Sequence, residues 1–227
     1  MLADQAAGLR RSAVRRDTQV ITILSGQAAI AQRLARAIQL RGRRVLLVDT
    51  TGRHAMAGQA QSIFGWQQQV ARKQVQPVCV NGIDLLRAPG APAGDAGIVQ
   101  ASNGCDTVLF DSVPIQSDVL ALASRPAQTL IVQVDADTDA ICNAYALIKS
   151  LAENNLDWPV FLVGKATQCE RIISAVKTFL SLQPSLPKWA ALEEDAHFAA
   201  LAAKITADET DVSRLYKDMG AIHKQHG

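Results

Sequence analysis

The stretch that decides the fold reads Val20-Ile21-Thr22-Ile23-Leu24-Ser25-Gly26-Gln27-Ala28-Ala29-Ile30-Ala31-Gln32-Arg33-Leu34-Ala35-Arg36. Its first five residues are apolar or β-branched and predict a buried strand. Ser25 and Gly26 interrupt this run, and apolar residues recur at helical spacing after them. A strand, a short loop with glycine and a helix, in this order, form the frame of a phosphate-binding loop.

The side chains with which such a loop holds a nucleotide are missing here. A working loop needs glycines so that its backbone can approach the phosphates, a lysine for the β- and γ-phosphates, and a hydroxyl for Mg²⁺. In this stretch Gly26 is the one glycine left, Gln32 stands at the lysine position and Arg33 at the hydroxyl position. The sequence therefore predicts the frame of a nucleotide switch with its binding chemistry replaced.

The composition limits the class of protein. The chain has 227 residues, of which 48% are hydrophobic and 19% charged, which suits one α/β domain with a sizeable core. A net charge of +2 does not by itself indicate binding to nucleic acid or to a membrane. No apolar run has the length of a membrane span. We interpret the widely spaced cysteines as buried, reduced thiols of a cytosolic protein, without a disulfide or a metal site: Cys79, Cys105, Cys142 and Cys169.

Apolar runs of strand length alternate with helical patterns along the chain. Besides Val20–Leu24, the runs are Val45–Val48, Ile83–Leu86, Thr107–Phe110, Thr129–Val134 and Val160–Val163. This alternation predicts an α/β fold with a mostly parallel, doubly wound sheet and helices on both faces. No repeat or linker divides the chain, so we predict an N-terminal segment over residues 1–17 and one domain over residues 18–227.

Three of the predicted helices carry specific expectations about burial or capping. Ile63, Phe64 and Trp66 are expected to anchor a short helix to the sheet. Asp137 or Thr138 is expected to cap a later helix. The helix after Val163 is expected to bury a stripe composed of Ile172, Ile173, Val176, Phe179 and Leu180.

Two of the predicted strands end in an aspartate, Asp49 and Asp111. Because the carboxyl ends of the strands carry the site in open α/β sheets, both are candidate site residues. An aspartate at this place commonly orients Mg²⁺-bound water in phosphate-binding enzymes. The alternative for Asp49 is a cap of a helix or turn.

Both ends of the chain carry amphipathic patterns. In residues 1–16 an apolar stripe accompanies several arginines, and a segment this short should be ordered only when it docks on something. It is either a solubilising tail or a partner-binding helix. Asp211–His223 also has an apolar side, for which ordinary packing is favoured over contact with a membrane surface.

Three segments together resemble the MinD/ParA-type P-loop ATPases and, within them, the flagellar FlhG (FleN) branch. Residues 4–10, Asp-Gln-Ala-Ala-Gly-Leu-Arg, fit the DQAxxLR motif at the start of that branch. Residues 25–33 and 44–49 correspond to the SGKGGVGKT loop and to the strand that ends in an aspartate. Residues 139–149 are close to the TDAYALIK helix. The similarity covers residues 1–180 with gaps.

The resemblance implies what each replaced residue would have done. Gln27 replaces the signature lysine that reaches the nucleotide of a dimer partner, Gln32 the phosphate-binding lysine, and Arg33 the Mg²⁺-binding threonine. Asp49 matches the first aspartate of the switch strand, and Asp111 the Walker B aspartate. We therefore expect no catalytic residue, no cofactor and no metal, and a vestigial nucleotide site formed by Gly26, Gln27, Gln32 and Arg33 with Asp49 and Asp111.

A physical expectation follows for the cavity that these residues would surround. Two partly desolvated carboxylates without lysine or metal are costly, because each charge lacks a compensating partner. Arg33 lies at the mouth of this predicted cavity. We predict that its guanidinium pairs with Asp111 or Asp49, fills the space and fixes the fold in one state. The alternative is that Arg33 is an exposed helix residue.

The resemblance also implies a function in setting the number and placement of flagella. The N-terminal helix would stimulate an FlhF-like GTPase through Asp4, Gln5, Leu9 and Arg10, and a FleQ-like activator or flagellar switch proteins would be further partners. Nucleic acid is not an expected partner. The expected location is the cytoplasm, with the cell pole or the periphery of the inner membrane as refinements.

Two alternatives stay open. One is an atypical but active ATPase that uses ATP and Mg²⁺ and takes its cations from Arg33, Arg36 or Arg53. The other is a MinD-like scaffold outside flagella, for example in polysaccharide secretion.

Overall fold

The computed structural model describes residues 18–54, 62–91, 95–112, 128–154, 158–180, 188–190 and 194–206. The strands are β1 (Gln19–Leu24), β2 (Val45–Asp49), β3 (Val78–Val80), β4 (Ile83–Arg87), β5 (Thr107–Ser112), β6 (Gln128–Val134), β7 (Val160–Gly164) and β8 (Lys188–Ala190). The helices are α1 (Ala28–Gln39), α2 (Ile63–Ala71), α3 (Ala96–Ala101), α4 (Thr138–Glu153), α5 (Ala166–Phe179) and α6 (Asp195–Thr206). Within these residues no helix combines the length and the apolar character that crossing a membrane requires.

The strands form one sheet in the order β3-β4-β2-β5-β1-β6-β7-β8. Neighbouring strands are parallel except for β3 and β4, which pair antiparallel at one edge. The prediction of a mostly parallel sheet is therefore confirmed. β5 lies between β1 and β2, and β6 lies on the other side of β1. The order in which the chain adds strands to the sheet therefore reverses at β1. The carboxyl ends of β1, β2 and β5 meet at this reversal, which is where open α/β sheets bind ligands.

Apolar side chains cover both faces of the sheet, as the continuous apolar strands predict. On one face α1 and α6 pack over the strands with buried residues such as Leu34 and Phe198. On the other face α4 and α5 cover β6 and β7, while α2 and α3 cover β2, β4 and β5. Consecutive residues of a strand pack alternately on the two faces of the sheet, because successive side chains of a strand point to opposite faces.

The six predicted strands are all present, and Asp137 caps α4 by accepting a hydrogen bond from the Ala140 N–H at 2.6 Å. The expected anchoring of α2 is only partly right. Trp66 is buried, but Ile63 and Phe64 are 58% and 67% exposed. Phe64 lies two positions before Trp66 and so points away from the sheet, while Ile63, at the first helical position, lies against the turn at Gly90.

Two further expectations about burial are wrong. Phe179, the last residue of α5, is 72% exposed. A helix rises about 1.5 Å and a strand about 3.3 Å per residue, so the 14 residues of α5 form a longer element than the 5 residues of β7. The end of α5 therefore extends beyond the strand that it covers. The cysteines are free as predicted, but only Cys169 is buried; Cys79 and Cys142 are exposed and Cys105 is half-buried. The predicted segments 1–17 and 211–223 lie outside the described residues.

Candidate functional site

The carboxyl ends of three central strands bring the predicted aspartates together. Asp49 ends β2 and lies directly beside Asp111 of β5 in the strand register. Ser25 follows the end of β1, the neighbour of β5 on its other side. All three residues are fully buried. The structure therefore brings Asp49 and Asp111 together at the carboxyl edge of the sheet.

Each carboxylate oxygen of Asp111 has a basic partner. His54 Nε2 lies 2.7 Å from Oδ2, and Arg53 Nη2 donates to Oδ1 at 2.9 Å. The His54 side chain is fully buried, and that of Arg53 is 23% exposed. Asp111 is thus compensated by two side chains from the loop that follows β2.

The guanidinium of Arg53 joins this loop to the strands on both sides of the site. Nη1 donates to the Ser25 carbonyl at 2.7 Å, and Nε donates to Thr51 Oγ1 at 2.9 Å. Together with the bond to Asp111, the three nitrogens satisfy acceptors from three different segments. The planar, multiply donating guanidinium suits such a junction, whereas an ammonium does not have this geometry. Positive charge from Arg53 therefore lies between the loop after β1 and the Asp111 carboxylate.

Gln32 completes the environment of His54. Its amide Nε2 lies 2.9 Å from His54 Nδ1. With the amide nitrogen as donor, Nδ1 accepts, and the ring proton is on Nε2 facing Asp111. Gln32, which the resemblance places at the position of a phosphate-binding lysine, therefore orients an imidazole.

Asp49 closes the turn that carries these residues. Its Oδ1 accepts from the Thr51 N–H at 3.0 Å, the Thr51 hydroxyl at 2.9 Å and the Gly52 N–H at 2.7 Å, and Oδ2 accepts from the His54 N–H at 3.1 Å. Gly52 adopts φ +75°, which favours glycine. Burial acts to raise the pKa of Asp49, but the hydrogen bonds from Thr51 and His54 outweigh it and lower the pKa. The alternative interpretation of Asp49 as a turn cap is therefore the one that its contacts support.

Arg87, at the end of β4, supports the same turn from the outside. Its Nη2 donates to the carbonyls of His54 at 2.8 Å and Gly52 at 3.2 Å, and its Nε lies 3.7 Å from Asp49 Oδ2. Arg87 thus binds the loop 51–54 to β4, while Arg53, within the loop, binds it to Ser25 and to β5.

The loop between β1 and α1 also has internal hydrogen-bond partners. Gln133 Oε1, from β6, accepts from Ser25 Oγ at 2.6 Å and from the Gly26 N–H at 3.2 Å. The Gln27 N–H donates to Ser25 Oγ at 2.8 Å. In a phosphate-binding loop, backbone N–H groups of this kind bind phosphate oxygens. Here a side-chain amide oxygen and a hydroxyl of the chain itself accept these bonds.

The prediction that Arg33 pairs with Asp111 or Asp49 is wrong. Arg33 Nε and Nη2 donate to Asp195 Oδ1 at 3.0 and 2.8 Å, and its guanidinium lies 4.2 Å from the centre of the Phe198 ring. Successive helical residues point about 100° apart, so only one of Gln32 and Arg33 can face the site. Gln32 does so, and Arg33 faces α6. Arg53, and not Arg33, supplies the positive charge that pairs with the Asp111 carboxylate.

The remaining predicted residues of the loop lie at its surface. Gly26 and Gln27 are exposed, and Gln27 precedes α1 without a capping hydrogen bond from its side chain. A cavity of about 770 Å³ lies beside α1 and reaches Gln32 and Arg33, but Asp49 and Asp111 are not among its described lining residues.

Sequence analysis missed His54, Arg87 and Gln133 as site residues and named Arg53 only as a cation for an active ATPase. Arg53 and His54 follow the strand-end Asp49 by four and five residues, so their place in a loop at the carboxyl edge of the sheet was a usable signal. Gln133 lies one residue before the end of β6. Its position next to β1 becomes evident only from the strand order.

Asp49, His54 and Asp111 are a group in the described part of the chain whose ligand atoms all lie within 4.8 Å of one another, close enough to share a metal ion. Arg53 at 2.9 Å from Asp111 and Arg87 at 3.7 Å from Asp49 already place positive charge on the two carboxylates. A divalent cation would therefore meet like charge at short range. The arrangement of residues does not fit a metal ion.

Known proteins resemble this chain in structure but not detectably in sequence. No family model and no curated protein matches the sequence. Among solved structures, a ParA family ATPase from Chlorobium tepidum is 15% identical, with a TM-score of 0.52 over 83% of this chain and 93% of that chain. A plasmid partition protein from Borrelia burgdorferi is 14% identical, with a TM-score of 0.51 over 82% of this chain and 95% of that chain.

A third solved structure is cobyrinic acid a,c-diamide synthase from Mycobacterium smegmatis, with a bound ATP analogue and magnesium. It is 18% identical, with a TM-score of 0.50 over 82% of this chain and 93% of that chain. Identities at this level establish the fold alone. Together with the parallel sheet and the strand–loop–helix at β1, they show that this chain has the fold of the ParA/MinD-type P-loop ATPases.

Proposed function

We propose that this protein is a non-catalytic regulator that keeps the fold of a nucleotide switch in one state and acts through protein contacts. The observation that carries the proposal is the Arg53 guanidinium, which is 2.9 Å from Asp111 and 2.7 Å from the Ser25 carbonyl. In the working fold a Mg²⁺ ion and the phosphate-binding lysine supply the positive charge at this place. Here a side chain of the protein supplies it permanently.

The contacts of the loop 51–54 explain why one state is expected. Nucleotide switches work because the γ-phosphate and Mg²⁺ order loops that hydrolysis releases. In this protein Arg53, His54 and Arg87 already bind the loop to β1, β5 and β4. A nucleotide can shift a conformational equilibrium only if it binds the two states differently. A loop that is already held by side chains of the protein leaves little for a nucleotide to change.

The regulated process that we propose is the number and placement of flagella. The proposal is supported by residues 4–10 and 139–149, which resemble motifs of the flagellar FlhG branch. The N-terminal helix would stimulate an FlhF-type GTPase, with Asp4, Gln5, Leu9 and Arg10 as contacts. A FleQ-like activator or flagellar switch proteins would be second partners of the folded domain.

The test is the GTPase rate of an FlhF-type protein with the full chain and with a peptide of residues 1–16. We expect both to raise the rate, and the variants Gln5→Ala and Leu9→Ala to lose most of the effect. A Ser12→Ala peptide is the matched control, because Ser12 lies outside the motif. Failure of the peptide, in an assay where the corresponding peptide of an authentic FlhG accelerates hydrolysis, would refute the flagellar assignment. It would not affect the non-catalytic interpretation of the site.

A further inference from the structure

The cavity beside α1 is separate from the site at the strand ends. It has a volume of about 770 Å³ and is bounded by α1, by the hairpin of β3 and β4, and by the beginning of α6. Pockets for small ligands typically have volumes of about 300–1,000 Å³. The proposed function does not use this cavity, although its size suits a ligand.

The floor of the cavity is apolar. Leu47 of β2 and Leu85 of β4 are neighbours in the strand register, and both belong to the cluster of buried side chains beneath α1. Ile83 of β4 and Val80 of β3 extend this floor. Leu40, which follows the last residue of α1, also lines the cavity and is 79% exposed. An apolar body in the cavity would remove these side chains from water, which favours its binding.

Positive charge predominates in the polar part of the lining. Arg33, Arg36 and Arg41 line the cavity, and Asp195 is the one acidic residue among its described lining. Asp195 pairs with Arg33 at 2.8 Å. Within the described residues Arg36 and Arg41 have no carboxylate partner, and each donates one hydrogen bond to a neutral oxygen, at 3.3 and 2.9 Å. Since a guanidinium carries five N–H donors, one such bond leaves donors for an anion.

The distance between α1 and the hairpin limits what the cavity can hold. Arg36 Nη1 donates to the Asn81 carbonyl at 3.3 Å, and Gln39 Nε2 donates to the Gly82 carbonyl at 2.8 Å. Single side chains of α1 therefore reach across to the turn between β3 and β4. A helix with its side chains is about 10–12 Å across and would have to break these bonds to lie there. A flexible alkyl chain is much narrower, so the cavity suits an elongated small ligand better than a helix of a partner protein.

We propose that this cavity binds an amphiphilic anion, whose alkyl chain lies on the apolar floor and whose carboxylate or phosphate headgroup pairs with Arg36. A guanidinium binds either headgroup through two parallel N–H···O bonds. Arg33 and Arg41 add positive charge to the same lining, which attracts an anion and disfavours a cationic amphiphile. The proposal does not depend on whether the strand-end site binds a nucleotide.

Titration calorimetry of the purified full-length protein tests the site with three ligands that share one alkyl chain length. Laurate and dodecyl phosphate, each kept below its micelle concentration, should bind with one molecule per chain, and the tighter of the two identifies the headgroup. Dodecyltrimethylammonium has a positive headgroup and should bind at least about tenfold more weakly than the tighter anion, because it cannot pair with a guanidinium.

The variant Arg36→Gln removes the charge that the proposal assigns to the headgroup. It should weaken binding of the tighter anion at least about tenfold. Because Arg36 is exposed, the variant should melt at the wild-type temperature, which shows that the fold is kept. The matched control is Arg72→Gln, which removes the same charge at an exposed position at the end of α2 and should bind like wild type.

Three results would overturn the proposal. They are no binding of either anion, equally tight binding of the ammonium compound, and equal affinities of Arg36→Gln and Arg72→Gln for the anion. Sedimentation of the free protein addresses another occupant of the cavity. A dimer that the anion dissociates would mean that a second copy of the chain occupies the cavity, which would also overturn the proposal.

Discussion

Arg53 connects a backbone carbonyl, a hydroxyl and a buried carboxylate that belong to three segments of the chain. Its removal would leave the buried Asp111 carboxylate with its contact to the His54 ring but without the guanidinium charge. A desolvated carboxylate that loses a charged hydrogen-bond donor is destabilising, because water cannot replace the donor at a fully buried site. Arg53 is therefore a residue on which the folded state depends, although it lies in a loop.

We predict that Arg53→Ala lowers the free energy of unfolding by about 2 kcal/mol, the range of hydrogen bonds to charged groups. Equilibrium urea denaturation measures the loss. Arg72→Ala, at an exposed position at the end of α2, is the matched control and should change stability by less than about 0.5 kcal/mol. Equal stabilities of the two variants would contradict the structural role of Arg53.

The lowered pKa of Asp49 predicts a dependence of stability on pH. Its folded-state pKa is below the ordinary value of 3.8, so the stabilising contribution is complete above the unfolded value and is lost as pH falls through the folded value. Wild type should therefore lose stability below about pH 4 more steeply than Asp49→Asn, which cannot ionise. In denaturation series from pH 7 to pH 2, the difference in the free energy of unfolding between wild type and Asp49→Asn should become smaller in acid. A difference that stays constant with pH would contradict the account.

At the scale of elements, the register of α1 decides which replaced residue enters the site. Gln32 faces His54, and Arg33 faces α6, where it contacts Asp195 and Phe198. The guanidinium of Arg33 therefore contributes to the packing of α1 against α6 on one face of the sheet. Arg33 is thus part of a contact between helices and not of the site at the strand ends.

We predict that Arg33 and Asp195 are coupled in a double-mutant cycle by about 0.5 kcal/mol, as expected for an exposed ion pair. The cycle uses Arg33→Ala, Asp195→Ala and the double variant, with stability as the readout. A parallel cycle of Arg33→Ala with Asp111→Asn should give no coupling. Coupling to Asp111 instead of Asp195 would mean that Arg33 occupies the site after all.

The strands of the core could be predicted from the sequence because a parallel strand buried on both faces is a continuous apolar run, as in Val45–Val48. The edge strands β3 and β8 have only three residues each and give no such run. The convergence of Asp49 and Asp111 could be predicted from their places at strand ends. The partners of these aspartates, Arg53 and His54, could not be predicted, because loop residues follow no period. The bond of Gln133 to Ser25 could not be predicted either, because Gln133 comes from a strand distant in sequence.

For the whole molecule, the site combines a loop whose N–H groups have internal acceptors with carboxylates that have internal cations. Each part that would bind phosphate or metal in a working switch is bound to another part of the same chain. These bonds satisfy the buried carboxylates of Asp49 and Asp111 from within the chain and tie the central strands together. We propose that the fold of a switch is thereby retained as a constant surface for protein contacts.

The central claim, that the protein's own side chains occupy the nucleotide site, is tested most directly by titration calorimetry with ATP and with ADP. Each titration is done with and without Mg²⁺ on the purified full-length protein. The account predicts no detectable binding at millimolar nucleotide, because Arg53 and Gln133 would have to leave Asp111 and Gly26 first. Micromolar, magnesium-dependent binding would contradict it.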